Sequence, residues 1–275
     1  MARHEDLTIE AYHKTPAVGA SMLGTFLDSG PTIYHAQHIA KTLPAPTGKH
    51  FRIGDAVHCA IEGREAITTI PAEALSRNGQ RRGKAWDQFV ADNSNHLLLT
   101  SAEAKQVKAI VDAILTNRMA RRLLEAADVN EKSIFWEDEN LGGERKCRPD
   151  ILVPGIIVDV KTTRLIRPDA KAFGKSAYDF GYHRQASTYQ TGVAEFTGDR
   201  NWQSVYIVAS TTPPYLSYIH RWGDDAIMLG ERQNNRALTD LRKHYSADTW
   251  VDPQQAELSE LQLPPWAWRD EEERQ

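Results

Sequence analysis

Two aspartates and a lysine stand close together in the stretch Cys147–Thr163, CRPDILVPGIIVDVKTT. Eight residues separate Asp150 from Asp159, and Lys161 lies two positions further on. Ile151, Leu152 and Val153, then Ile156, Ile157 and Val158, are aliphatic and flank Pro154-Gly155, a pattern that predicts strand, tight turn and strand. Side chains alternate along a strand, so Asp159 and Lys161 share one face and Val158 and Val160 the other, with Asp150 where the first strand begins. Two carboxylates a few ångströms apart repel unless a cation lies between them, and hard oxygen donors suit Mg²⁺, with Mn²⁺ as a substitute. A lysine beside that cation has its ammonium form disfavoured, which makes Lys161 a candidate to orient or deprotonate water. Metal ion and activated water together describe phosphodiester hydrolysis. The bland alternative for the same residues is a surface hairpin carrying an ion pair.

A chain of 275 residues with 41% hydrophobic residues can fill a sizeable core, and a single domain over 1–275 is the simplest organisation. The formal net charge of −4 argues against a generally basic surface, so nucleic-acid contacts must come from local clusters. Arg77, Arg81, Arg82 and Lys84 gather around two glycines ahead of Trp86 and Phe89, a basic loop that suits phosphate tracking and equally suits solvent. Arg164, Arg167, Lys171 and Lys175 form a second cluster downstream of Lys161, where a DNA strand could run. Two cysteines, Cys59 and Cys147, cannot build a disulfide framework or a four-thiolate cluster, so no iron–sulfur cluster is expected. No P-loop is present, so no ATP is expected. No apolar run approaches the ~20 residues of a membrane span and the first residues lack an apolar signal centre; a cytoplasmic protein with no membrane partner is expected.

The elements around the motif read as follows. Residues 1–20 read as an extended lead-in, and Ser21 opens a helix with Met22, Leu23, Phe26 and Leu27 on one face, its hydroxyl placed for a DNA phosphate or simply as a cap. Ala56, Val57, Ala60 and Ile61 mark a buried helix with Gly54 near its start, on which His58 alone reads as a core residue. Thr100–Glu103 is a capping box before Val107, Ile110 and Ile114. Glu131–Asp138 reads as an alternating strand that turns at Gly142-Gly143, which would add the catalytic hairpin to a sheet of at least three strands. Gln185 and Tyr189 share a helix face at i, i+4. Val205–Ser210 reads as a buried strand with an antiparallel partner over 215–221; Leu263–Ala267 packs on the body, and 269–275 is expected to be a disordered tail.

At Pro149-Asp150 and Asp159-Val160-Lys161 the chain resembles the PD-(D/E)XK nuclease superfamily. Ser133–Asp138, Cys147–Asp150 and Asp159–Thr163 resemble, in order and spacing, the RecE-like exonucleases (exonuclease VIII type) within it, and the resemblance extends over about residues 10–268. It implies an α/β fold, a restriction-endonuclease-like core with a central mixed sheet flanked by helices. Gly54, His58 and Glu62 resemble the helix that brings a histidine to the metal in such enzymes. The resemblance therefore implies a metal set of His58, Asp150, Asp159 and the Val160 carbonyl, with Lys161 and Gln185 catalytic, Tyr189 in support at the DNA, and Glu131 as an additional acidic group. Asp159 stands where much of the superfamily has glutamate, one methylene longer. The implied activity is metal-dependent degradation of linear double-stranded DNA from 5′ ends, leaving 3′ single strands for a RecT-type annealing protein. It further implies a homo-oligomeric ring, tetrameric or trimeric, and a phage or prophage setting. Alternatives are a PD-(D/E)XK endonuclease of repair or restriction type, and a non-catalytic module that binds DNA ends.

Overall fold

The aliphatic runs around Pro154-Gly155 do pair as an antiparallel hairpin, with Gly155 at φ 75° in the turn where any side chain would be strained. The structure, a computed structural model, describes residues 2–44, 49–64, 67–127, 129–252, 257–258 and 260–263. In chain order, β1 (Arg3–Glu5) and α1 (Ile9–Lys14) lead to α2 (Ala20–Tyr34), which breaks at Gly30 and continues into a π-helical turn over His35–Ile39. There follow α3 (Lys49–Ile61), β2 (Ile67–Thr69), α4 (Lys84–Asp92), β3 (Leu97–Leu99), α5 (Ser101–Thr116) and α6 (Arg118–Glu125). Strands β4 (Val129–Asn130), β5 (Ser133–Asp138), β6 (Gly143–Cys147), β7 (Ile151–Val153) and β8 (Ile156–Thr163) come next. Helices α7 (Ala170–Asp179) and α8 (Tyr182–Thr197) cross back to β9 (Gln203–Ser210), β10 (Ser217–Arg221) and α9 (Asp224–Ala247).

The main sheet has the order β10-β9-β8-β7-β4 and is mixed, because β8 and β9 run parallel and the other pairs antiparallel. Parallel neighbours need a long crossover, and α7 with α8 supplies it. Period-two alternation sorts the strands into two layers. Val158 and Val160, with Ile207 and Ala209, pack against Val57, Ile110 and Ile114 of α3 and α5. From the opposite face, Ile157 packs with Val193 of α8, and Val208 with Phe173 and Ala177 of α7. The sheet is thus covered on both sides, which is the α/β arrangement expected from the sequence. The capping box also forms, with the Thr100 hydroxyl accepting the Glu103 amide and the Glu103 carboxylate accepting the Thr100 amide.

Three expectations are corrected. Residues 1–20 are not an extended lead-in: β1 adds to β5, and Thr8 caps α1, whose Tyr12 is buried against Phe135. The Ser133–Cys147 hairpin does not extend the catalytic hairpin but forms its own sheet, β1-β5-β6. Glu131 adopts φ 51°, which ends β4, and β5 starts at Ser133 with its first four residues buried rather than alternating. Alternation fails there because α1 covers one face of β5 and α8 the other. Gly192 of α8 lies so close that a Cβ would come within 2.5 Å of the Cys147 Sγ and 2.6 Å of the Trp136 ring. Cys147 is a buried packing residue at this crossing. The stretch 264–275, which holds all of the expected tail 269–275 and all but Leu263 of the segment Leu263–Ala267, lies outside the described residues.

Candidate active site

Strand β8 places Asp159 and Lys161 on the layer facing α7 and α8, as its alternation requires, and the two side chains form an ion pair. Asp159 is only 2% exposed. Register pairs Asp159 with Tyr206 on β9, and the Lys161 Nζ lies 5.7 Å from the Tyr206 ring centroid and 4.7 Å from that of Tyr182. Those rings form an electron-rich wall behind the ammonium. The Tyr206 hydroxyl donates to the Tyr182 carbonyl at 2.7 Å, which ties β9 to the start of α8 and fixes the wall. Burial pushes the Asp159 carboxyl up, Lys161 pulls it down and Asp150 pushes it up again. Burial lowers the Lys161 ammonium, yet Asp159 and Asp150 hold it above its ordinary value. The expected disfavouring of the ammonium belongs to a neighbouring bound cation; without one, two carboxylates and two aromatic faces favour the charged form.

Asp150 sits just before β7 and reaches back to β8, where its Oδ2 accepts the Val160 N–H at 2.8 Å. One carboxylate thereby fixes the peptide between the other two polar residues. The same oxygen faces the His58 Nδ1 at 3.4 Å. Helix α3 can come this close because Gly54 faces the sheet; a Cβ there would stand 3.2 Å from the Thr162 hydroxyl. Glu62, a turn beyond His58 and 3.9 Å from its Nδ1, is pushed up to about 7 by burial and Glu131, against the pull of Arg64. Glu131 is held by Arg148 at 2.8 Å and Arg64 at 3.2 Å, and its own N–H donates to the Asp150 carbonyl at 2.8 Å. Two guanidinium groups thus hold the Glu131 carboxylate while its backbone N–H holds Asp150. Arg148 also donates to the Leu7 carbonyl and the Ser133 hydroxyl, each at 2.8 Å, so the N-terminal segment is fastened beside Asp150.

Among the described residues, no group of three or more His, Cys, Asp and Glu side chains is gathered as a ready-made metal site. The donor chemistry nonetheless fits a divalent cation: two carboxylates within each other's field, one of them almost fully buried, and an imidazole 3.4 Å from the other. Carboxylate repulsion in a buried setting is what a hard cation relieves. The Val160 side chain is buried in the opposite layer, so only its backbone could take part. If His58 belongs to this set, His58→Ala should raise the Mg²⁺ or Mn²⁺ concentration needed for half-maximal activity by about 10–100-fold. Calorimetric metal titration reads the same shift without turnover, and an unchanged titration would return His58 to a packing role.

The remaining sequence candidates are dispersed. The Gln185 side-chain amide donates to the Tyr189 hydroxyl at 3.0 Å rather than reaching Lys161, and Tyr189 packs beside Ile157 and Trp136. Tyr189 is thus internal, although Asp159 still contributes to raising its hydroxyl after burial. Ser21 is exposed in the first turn of α2, which Gly19 rather than Ser21 caps. That turn lies against β6, in the smaller sheet, through the pairing of Val18 with Arg145. Arg77, Arg81, Arg82 and Lys84 are exposed between β2 and β3, and Arg81 leans on Glu103 at 3.6 Å and on the Trp86 ring at 5.8 Å. Arg164 and Lys171 are exposed just beyond β8. Sequence reasoning missed Tyr182, Tyr206, Arg64 and Arg148. Tyr182 lay in plain view one turn before Gln185, whereas Tyr206 could be found only from the parallel register.

Residues 20–261 match the family described as "PDDEXK-like domain of unknown function (DUF3799)". No curated protein matches the chain. Among solved structures, a "putative exonuclease" from Eubacterium rectale superposes with a TM-score of 0.60 at 15% sequence identity, covering 96% of this chain and 98% of the other. At that identity the likeness concerns the fold.

Proposed function

Since the chain belongs to the PDDEXK-like domain family DUF3799, a PD-(D/E)XK fold, we propose that it is a metal-dependent exodeoxyribonuclease acting on linear double-stranded DNA. The observation that carries this reading is the placement of Asp159 and Lys161 on one face of β8, with Asp150 bonded to the Val160 amide between them and facing His58. The description of the Eubacterium rectale protein as an exonuclease supports the choice of exonuclease over endonuclease.

In this mechanism Asp150, Asp159, the Val160 carbonyl and His58 would hold the cation, with Mg²⁺ the expected ion. A bound divalent cation supplies Lewis-acid polarisation of the phosphoryl oxygens and neutralises charge developing on them. Lys161, kept as an ammonium by Asp159, donates a hydrogen bond to the attacking water and orients it in line with the leaving 3′ oxygen. Its aromatic wall of Tyr182 and Tyr206 limits where the Nζ can stand, so orientation is set before substrate arrives. Glu131 and Arg148 keep Asp150 in register from behind. Arg164, exposed just after β8, and Lys171, exposed in the first turn of α7, are candidates to guide the strand by its phosphates. A 5′ to 3′ polarity, release of 3′ overhangs to a RecT-type annealing partner, and a ring of identical subunits complete the proposal; an enclosing ring would let a chain of net charge −4 remain on its DNA.

The test compares linear and circular forms of one plasmid in Mg²⁺. Linear DNA should be degraded and the covalently closed circle left intact. Cutting of the circle would replace this reading by an endonuclease, and inertness towards both forms by a DNA-end-binding module. Label placed at the 3′ ends of the linear duplex should persist early in digestion; its immediate release would reverse the polarity.

A further inference from the structure

The junction between α7 and α8 exposes two aromatic side chains, Tyr178 at 57% and Phe180 at 69%. Single exposed aromatics are ordinary, but each of these is backed by a second ring. Phe180 stacks on Tyr182 with centroids 5.7 Å apart and planes at 28°, and Tyr178 stacks on the buried His183 at 5.2 Å and 10°. Tyr182 is the ring over which the Lys161 Nζ sits. One exposed face therefore connects to the amine through a single intervening ring. Gly181, left-handed at φ 66°, makes the tight joint between the helices that turns Phe180 and Tyr182 towards each other. Residues 161–184 contain six Lys or Arg and two Asp, and four of the six are ion-paired: Lys161 with Asp159, Arg167 with Asp169, Lys175 with Asp179 and Arg184 with Asp28.

We propose that Phe180 is a base-stacking residue: its exposed face receives a nucleobase of the strand whose phosphate lies at Lys161, and so positions that strand. This rests on the nuclease reading and names a substrate contact within it. A phenyl face held by a neighbouring ring loses little freedom on binding, and an aromatic platform beside basic side chains is how sequence-independent single-strand contacts are made. The occupant is a base rather than an apolar partner because the stack leads through Tyr182 to the buried Lys161–Asp159 pair of the candidate active site, where a phosphate of the same strand would lie. Phe180 is a positioning residue, and it takes no part in moving protons.

The test uses a single-stranded oligonucleotide carrying one 2-aminopurine, titrated with the full-length protein in EDTA so that nothing is cleaved. Wild-type protein should quench the probe on binding. Phe180→Ala should bind about tenfold more weakly and lose the quench, whereas Phe180→Trp should restore both. An abasic site at the probe position should bring wild type and Phe180→Ala to equal affinity. On linear duplex DNA with Mg²⁺, Phe180→Ala should raise KM more than it lowers kcat. Equal quenching by wild type and Phe180→Ala overturns the proposal, as does an affinity loss that persists on the abasic probe. A change in subunit number by light scattering, with oligonucleotide binding unaltered, would assign the phenyl ring to a second copy of the chain and also overturns it. If linear DNA is degraded and Phe180→Ala behaves as wild type, the stacking role alone falls; if neither protein binds the oligonucleotide nor degrades linear DNA, the nuclease reading falls with it.

Discussion

Lys161→Ala is expected to lower the rate of DNA hydrolysis by about 10²–10⁴-fold at saturating Mg²⁺ while leaving binding to duplex DNA largely in place. The loss follows from position as well as charge. Nζ is held between the Asp159 carboxylate and the faces of Tyr182 and Tyr206, so the donor stands at one fixed point. Removing the amine also leaves Asp159 buried without its cationic partner, which costs about 3–5 kcal/mol of stability. Thermal unfolding must therefore be followed alongside activity. Lys161→Arg separates the two effects: it keeps a positive partner for Asp159 and should unfold near the wild-type temperature, yet a planar guanidinium cannot stand where a single ammonium does. Its turnover should fall as far. Near-normal turnover in either variant, measured in single-turnover digestion of linear duplex, would remove Lys161 from the reaction.

Asp150→Asn should produce a loss of comparable size through metal affinity rather than water orientation. The amide oxygen of asparagine can still accept the Val160 N–H that Asp150 accepts at 2.8 Å, so β7 and β8 should keep their pairing and the melting temperature should hardly move. What disappears is the negative charge facing His58 and Asp159. Removing a partner outside the coordination sphere already costs about 10–100-fold in metal affinity; loss of a direct carboxylate donor should cost at least that. Mn²⁺ binding followed by calorimetry reads the effect without turnover. Equal Mn²⁺ affinity in Asp150→Asn and wild type would detach Asp150 from the metal site and leave it a backbone clamp.

What the sequence disclosed about this site was local and periodic. Alternation along Ile156–Thr163 placed Asp159 and Lys161 together, and Pro154-Gly155 located the turn, because strand geometry allows little else. The spacing of Gly54, His58 and Glu62 placed the imidazole beside Asp150 through the resemblance alone; nothing in that helix's own periodicity distinguishes His58 from a packed residue. Long-range pairings stayed hidden. The register that sets Tyr206 against Asp159 depends on a parallel crossover, and the two arginines that hold Glu131 come from segments on either side of it in the chain. The exposed face of Phe180 was equally unreadable, since an aromatic residue beside glycine looks the same whether it is packed or open to solvent. Ser133–Cys147 misled because hairpins normally join their neighbours' sheet, and here the first strand, Arg3–Glu5, takes β5's other edge.

The parallel union of β8 with β9 carries a consequence for biosynthesis. Acid and amine leave the ribosome together on β8, but the tyrosine opposite Asp159 belongs to a strand made only after two further helices. Until that strand docks, Lys161 lacks its Tyr206 face and the middle of the sheet has a raw edge. Such late, non-local pairing is slow to form. An unfinished polypeptide would thus hold Asp159 and Lys161 without the scaffold that aims them until synthesis had passed β9.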